Sequence, residues 1–143
     1  MKAVIQRVGR TVLRVDGEVV SEIGRGLAVY LGVAPSDAQQ NAAAMAKKIA
    51  ALRIFEDENG KMNLSVRDVK GEVLLISQFT LYGDATHGNR PSFIGAARPE
   101  HAEPLYEAAA RFLAAEGVPV KTGVFGADMK IDQHNDGPVT ILY

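Results

Sequence analysis

At 143 residues the chain has the length for one domain, residues 1–143, with a sizeable core, and its 47% hydrophobic and 23% charged content is ordinary for a globular protein. The absence of cysteine excludes disulfides, thiolate nucleophiles and Cys-ligated zinc and fits a reducing, cytoplasmic compartment, and no apolar run approaches the roughly 20 residues a membrane helix needs. A net charge of −1 without a long basic block argues against a strongly electrostatic nucleic-acid binder.

The first segment, Lys2–Val8, alternates. It puts Ala3, Ile5 and the aliphatic part of Arg7 on one face and Val4 and Val8 on the other, which predicts a strand and not a signal-peptide core. Thr11–Val15 and Glu18–Ile23 predict two further strands joined by Asp16-Gly17, a strong short hairpin signal. Gly24-Arg25-Gly26 predicts the next turn. Leu27–Val33 is apolar throughout and predicts a central strand. Pro35-Ser36 opens a helix, with Ser36 and Gln39 at capping-box spacing. Its apolar face is Ala42, Met45, Ala46, Ile49 and Leu52.

After Ile54-Phe55, the EDENG stretch carries a turn at Asn59-Gly60. Lys61–Lys70 predicts loop with a short extended piece. Val73–Ile76 is a β-branched-rich apolar run, the pattern of a strand buried on both faces. The strand is expected to run on through Ser77, Gln78, Phe79 and Thr80, with Leu81 and Tyr82 resuming the apolar pattern before Gly83-Asp84. Gly83–Gly95 predicts a surface loop. Arg98-Pro99 leads into a second helix with an apolar stripe of Leu105, Ala108, Ala109 and Phe112. Pro104 is tolerable only near its first turn, and Gly117 predicts its C-terminal cap. Val118–Phe125 predicts a strand, Gly126–Asp136 a polar irregular stretch, and Gly137–Tyr143 a terminal strand. This order predicts a mixed sheet with helices on one side, in the α/β class.

Few residues offer chemistry. His87, His101 and His134 are scattered, and no pair has metal-ligand spacing, so each reads as solvated. Glu56, Asp57 and Glu58 read as a hydrated turn face. No phosphate-binding glycine loop is present. Two stretches remain. In Ser77–Thr80, two hydroxyls and an amide enter what should be core, which requires either hydrogen bonds to neighbouring backbone or a ligand. Asn135-Asp136-Gly137-Pro138 contains a candidate cis peptide, although a proline opening a strand is also ordinary.

SQFTLYGD at 77–84, RPSF at 90–93, FGADM at 125–129 and NDGPVT at 135–140 resemble D-aminoacyl-tRNA deacylases. So do AVIQRV with DGEVV near the start and LRIFEDENGKMNLSV at 52–66. The resemblance spans the chain, and SQFT with GPVT is a specific pair. It implies a three-layer α/β/β domain with a mixed, barrel-like sheet and two main helices. It implies a homodimer with the active site at the subunit interface, tRNA as partner, and no cofactor or metal. Ser77, Gln78, Phe79 and Thr80 are then the catalytic stretch, lining a pocket for the aminoacylated 3′-adenosine. Gly137 and Pro138 of the partner, braced by Arg7 and in the cis form, provide chiral selectivity. Phe125 and Met129 lie near the adenine.

On that resemblance, the Gly-Pro backbone carbonyls hold the substrate ammonium and crowd the place an L side chain needs. D-amino acids fit, and glycine cannot be excluded. Phe79 and Thr80 N–H groups are candidate oxyanion donors. Thr80 reads either as nucleophile or as a positioning residue beside an assisting 2′-hydroxyl. The second is favoured because no histidine, lysine or carboxylate motif is tied to it. A non-catalytic nucleic-acid-binding or interaction module on the same fold is the alternative reading. The sequence departs from the family pattern at Thr86, His87 and Asn89, which leave Arg90 as the main cation of that loop. It departs again at His134, which stands where the family usually has an apolar residue.

Overall fold

The first strand, β1, runs unbroken from Lys2 to Val15 in the computed structural model, which describes all residues from Met1 to Tyr143. Two strands were expected here, and the Gly9-Arg10 pair does not separate them. The reason is pairing on both edges. On one edge β1 pairs first with β3 (Gly26–Gly32) and then with β2 (Glu18–Ile23), both antiparallel. Along its other edge runs β8 (Met129–Leu142), which absorbs the irregular step near Gly9 as a register shift. The Asp16-Gly17 hairpin forms as expected, with both residues at positive φ.

β8 overturns the expectation of an irregular stretch over 126–136. Its inward positions begin as Met129 and Ile131 but continue as Gln133, so the apolar alternation is short. Ladder hydrogen bonds to β1, not hydrophobic patterning, hold this segment extended.

The chain goes on through α1 (Gln39–Ala51), a small hairpin of β4 (Phe55–Glu56) and β5 (Met62–Leu64), β6 (Glu72–Ser77), α2 (Pro99–Ala115) and β7 (Val120–Thr122). β7 is shorter than the strand expected over Val118–Phe125. α1 begins later than Ser36 suggests: the Asn41 side chain accepts from the Ala38 N–H at 2.8 Å, and Ser36 takes no part. Pro104 lies beyond the first turn of α2 on its exposed face, where water can satisfy the carbonyl that loses its donor. Gly117 has positive φ just past α2, as expected of its cap.

The strand order is β2-β1-β3-β6-β7, with β8 on the far edge of β1. β3, β6 and β7 are parallel, and the crossovers between them carry α1 and α2 on one face. There Ala42, Met45, Ala46 and Ile49 of α1 and Tyr106, Ala108, Ala109 and Leu113 of α2 share a core with Ile5, Val29, Leu75 and Phe55. Each fully buried aliphatic side chain of this kind contributes about 1.5–3 kcal/mol. The other face curls round a smaller cluster of Val8, Leu13, Ile23, Ala28, Leu74 and Ile76. The sheet is nearly closed. Ser21 Oγ of β2 donates to the Thr122 carbonyl of β7 at 2.6 Å, and the Gly24 N–H reaches Glu72 Oε2 at 2.8 Å.

Candidate active site

Parallel strands share one carboxyl end, and in α/β sheets that end is where ligands bind. Here it is marked by Leu31 of β3 and Ser77 of β6, which pair as the last rung of their ladder. Val73–Ile76 are fully buried, as the sequence predicts. The expectation for the next four residues is corrected. The strand stops at Ser77, and the Gln78 N–H caps the rung by donating to the Leu31 carbonyl at 2.9 Å. The chain then leaves the sheet as a 3-10 turn over Phe79–Tyr82. The polar groups therefore stand at a strand end facing outward, not inside a core. Phe79 is 55% exposed and Thr80 is exposed too.

This turn has two chemical consequences. Phe79 and Thr80 occupy its first two positions, and their N–H groups make no backbone hydrogen bond outside it. Two donors are thus left open side by side. The Thr80 hydroxyl has the Gln78 side-chain amide as its one side-chain partner. No histidine, lysine or carboxylate bonds it.

Above the strand ends lies a cavity of about 1100 Å³. Its floor is Leu31, Ile76, Ser77, Gln78 and Phe79. One wall is Phe93 and Ile94 from the exposed 83–95 loop, and Phe93 meets Phe79 edge-on at 5.2 Å. Arg98 and His101 come from the start of α2, Phe125 and Gly126 from the β7–β8 connection, and Met129 from the first position of β8. The lining is mostly apolar with a few polar groups, the usual make-up of a small-molecule site. Tyr106 fixes α2 beneath this cavity. It packs on Phe125 at 6.0 Å, and its hydroxyl donates to the Leu75 carbonyl at 2.7 Å. Burial pushes that hydroxyl up to about 12.

His87, His101 and His134 are all exposed, in keeping with a solvated reading, and His101 also lines the cavity. Its Nε2 lies 2.8 Å from the Asp37 carbonyl, which makes that nitrogen a donor tying α2 to the loop before α1. The sequence does not place Arg98, His101 or Phe93 in the site: His101 reads as solvated, Arg98 as the lead-in to a helix, and Phe93 stands only within the RPSF motif. They sit at a loop end and a helix start, and only the fold brings them to the strand ends. The Glu56–Glu58 run forms a turn in which Asp57 accepts from the Asn59 and Lys61 N–H groups; those bonds hold its carboxyl below the usual range.

Of the residues expected to form the site, Ser77, Gln78, Phe79, Phe125 and Met129 all line this cavity. Thr80, Arg7, Gly137 and Pro138 do not. The Gly137-Pro138 peptide is cis and lies in β8, where the ladder to β1 steps from Val8–Asn135 to Gln6–Thr140. Asp136 to Val139 therefore bulge opposite Arg7. Arg7 is buried; it donates through Nη1 to the Ile54 carbonyl at 2.9 Å and through Nε to the Asp136 carbonyl at 3.2 Å. Within the chain none of the bulge residues Asp136–Val139 lines the cavity.

The comparisons with known proteins each span nearly the whole chain. A D-aminoacyl-tRNA deacylase of Anaeromyxobacter dehalogenans is 59% identical over 142 residues, covering 99% of this chain and 95% of that protein. A solved structure titled c-Myc DNA unwinding element binding protein is 44% identical with a TM-score of 0.93, covering 100% of this chain and 97% of the other. A second, of a probable eukaryotic D-amino acid tRNA deacylase, shares the fold with a TM-score of 0.87 at 17% identity, covering 99% of this chain and 97% of that one. The model of the D-Tyr-tRNA(Tyr) deacylase family matches residues 4–143, and the chain belongs to that family.

Proposed function

We propose that this deacylase hydrolyses D-aminoacyl-tRNA in a site built from two copies of the chain. The cavity of one receives the aminoacylated 3′-adenosine, and Gly137-Pro138 of the other faces the amino acid. The observation that carries this is the division of labour within the protomer. Ser77, Gln78, Phe79, Phe125 and Met129 converge on one cavity, while the Arg7-braced Gly137-Pro138 bulge projects elsewhere. A homodimer that apposes the two gives each half its complement.

The chemistry follows from the groups available. Water attacks the ester carbonyl, and the open N–H groups of Phe79 and Thr80 hydrogen-bond the oxyanion, each such donor being worth about 3 kcal/mol. The bond to the adenosine 3′-oxygen then breaks, and the proton lost by the attacking water is relayed through the neighbouring 2′-hydroxyl to the departing 3′-oxygen, a role that needs only correct placement. Thr80 positions Gln78 instead of attacking, since nothing nearby can take its proton. The partner's Gly-Pro carbonyls accept from the substrate ammonium and occupy the direction an L side chain would take. D-aminoacyl and glycyl esters are accepted, and the reaction is chiral proofreading in the cytoplasm, where tRNA is charged. No helix of the protein is long and apolar enough to cross a membrane.

Incubation with D-tyrosyl-, L-tyrosyl- and glycyl-tRNA tests the reading. Release of the D-amino acid and of glycine, with L-tyrosyl-tRNA intact, is the expected result; equal release of D and L tyrosine refutes the gate. Thr80→Val is expected to retain activity, and a trapped acyl-enzyme in the unmodified protein would restore Thr80 as nucleophile. A second reading, a nucleic-acid-binding module, draws on the printed name of the 44% identical structure. Binding of duplex DNA with no hydrolysis of any aminoacyl-tRNA would favour it.

A further inference from the structure

We propose that Gln6 is a positioning residue that closes the neck of the Asp136–Val139 bulge, so that Gly137-Pro138 is gripped from both faces of the sheet. The inference rests on reading Gly137-Pro138 as the element that rejects L substrates.

Gln6 and Arg7 are adjacent on β1, so their side chains leave opposite faces. Arg7 works on the helix-covered face, where Val139 and Ile141 also pack. Gln6 works on the other, the face on which Tyr30 and Ile131 pack. Its side-chain amide bonds the two ends of the bulge at once. Oε1 accepts from Gln133 Nε2 at 2.7 Å, before the bulge, and Nε2 donates to Thr140 Oγ1 at 3.2 Å, after it. The Gln133 amide also bonds Asn135 Oδ1, the last paired residue before the chain swings out. From β3 the Tyr30 hydroxyl donates to Gln133 Oε1 at 2.9 Å.

Three strands are thus linked through two side-chain amides, Gln133 and Gln6, across the mouth of the bulge. Burial pushes the Tyr30 hydroxyl above its ordinary range. A cross-strand polar pair that only stabilised the sheet would leave selectivity alone. One that sets the span between Asn135 and Thr140 fixes how far Gly137-Pro138 projects, and a wall that must exclude one enantiomer tolerates little slack.

The test measures hydrolysis of D- and L-tyrosyl-tRNA together with Tm in Gln6→Leu, Thr140→Val and Pro138→Ala. Thr140→Val removes one rung with no change in side-chain volume and decides the matter if Gln6→Leu fails to fold. The expected result is a D-to-L rate ratio lowered about tenfold in Gln6→Leu and Thr140→Val, the scale of one hydrogen bond, mainly through faster L hydrolysis. Selectivity lost in Pro138→Ala but kept in the other two overturns the positioning role. Selectivity kept in all three overturns the reading of Gly137-Pro138 itself, and the positioning role with it.

Discussion

Arg7 and Asp136 meet twice: the Arg7 Nε lies 3.2 Å from the Asp136 carbonyl oxygen and 3.2 Å from its carboxylate Oδ2. The same guanidinium holds the Ile54 carbonyl through Nη1. One buried side chain therefore joins β1, the segment after α1, and the bulge in β8. The planar fork of arginine makes this possible, because its donors point to separate acceptors at fixed angles.

Arg7→Lys keeps the charge and removes the fork. The ammonium has three donors but only one nitrogen, which cannot stand at both the Nε and the Nη1 positions that serve the Asp136 and Ile54 carbonyls, and the acceptor left over costs about 1–3 kcal/mol. A fall in Tm of roughly 3–10 °C is expected. Hydrolysis of D-tyrosyl-tRNA should fall at the same time, because the bulge is no longer braced. Thermal unfolding with a single-turnover assay checks both; a lower Tm with unchanged turnover and selectivity would confine Arg7 to a structural part.

Tyr106 supplies a pH prediction. Its hydroxyl is raised from 10.0 to about 12 by burial, so the folded state holds the proton more tightly than the unfolded chain. The stability this contributes is fully present below pH 10.0 and is lost as pH rises through about 12. Two units correspond to about 2–3 kcal/mol. Tyr106→Phe removes that alkaline dependence. It should cost little at neutral pH, because the Leu75 carbonyl still accepts from the Gly123 N–H at 3.1 Å. Urea unfolding of both proteins at pH 8 and pH 11 measures the difference. The two should be nearly equal at pH 8 and the variant the more stable at pH 11; a difference that does not shift in the variant's favour as pH rises would contradict this account.

Where the sequence was legible, one local signal sufficed. The Asp16-Gly17 hairpin, the apolar run at Leu27 and the helical spacing from Ala42 to Ile49 each specify an element without knowledge of the rest. Legibility failed where a partner strand made the decision. Met129–Asp136 reads as polar and irregular alone and becomes strand against β1. Ser77–Thr80 reads as a strand's interior because the apolar run ahead of it carries no stop signal; the strand ends where β3 ends. The cavity follows the same logic. Ser77, Gln78, Phe79, Phe125 and Met129 came from family motifs, whereas Arg98 and His101 arrive through the packing of α2, which no spacing encodes.

The parallel seam between β3 and β6 sets the floor of the cavity and has a specific weak point at Gly26. A Cβ there would lie 1.8 Å from the Glu72 carbonyl oxygen, a backbone atom fixed in the same ladder. No rotamer relieves that contact, so β6 must move as a whole. Gly26→Ala is expected to leave little protein in the soluble fraction, and any recovered should unfold roughly 10 °C or more below the unmodified chain. A soluble Gly26→Ala protein with unchanged Tm would mean that β3 and β6 sit farther apart than here.

Gly137 and Phe79 together test whether the site is shared. Gly137 has a φ of +124, and a Cβ there would lie 2.9 Å from Val139 Cγ2 and 3.2 Å from Arg7 Nη2. Gly137→Ala must therefore displace the bulge, and because Gly137 is exposed the domain should still fold. Phe79→Pro deletes an oxyanion donor at the first position of a turn, where proline is tolerated. Each variant alone is expected to be nearly inactive. Co-expressed and allowed to pair at random, half of the dimers are mixed. In a mixed dimer of shared sites, one site collects both substitutions and the other collects neither. Activity should then return to about a quarter of the unmodified level. Sites confined to single chains would give no recovery at all. Size-exclusion chromatography confirms pairing, and the assay on D-tyrosyl-tRNA reads the outcome.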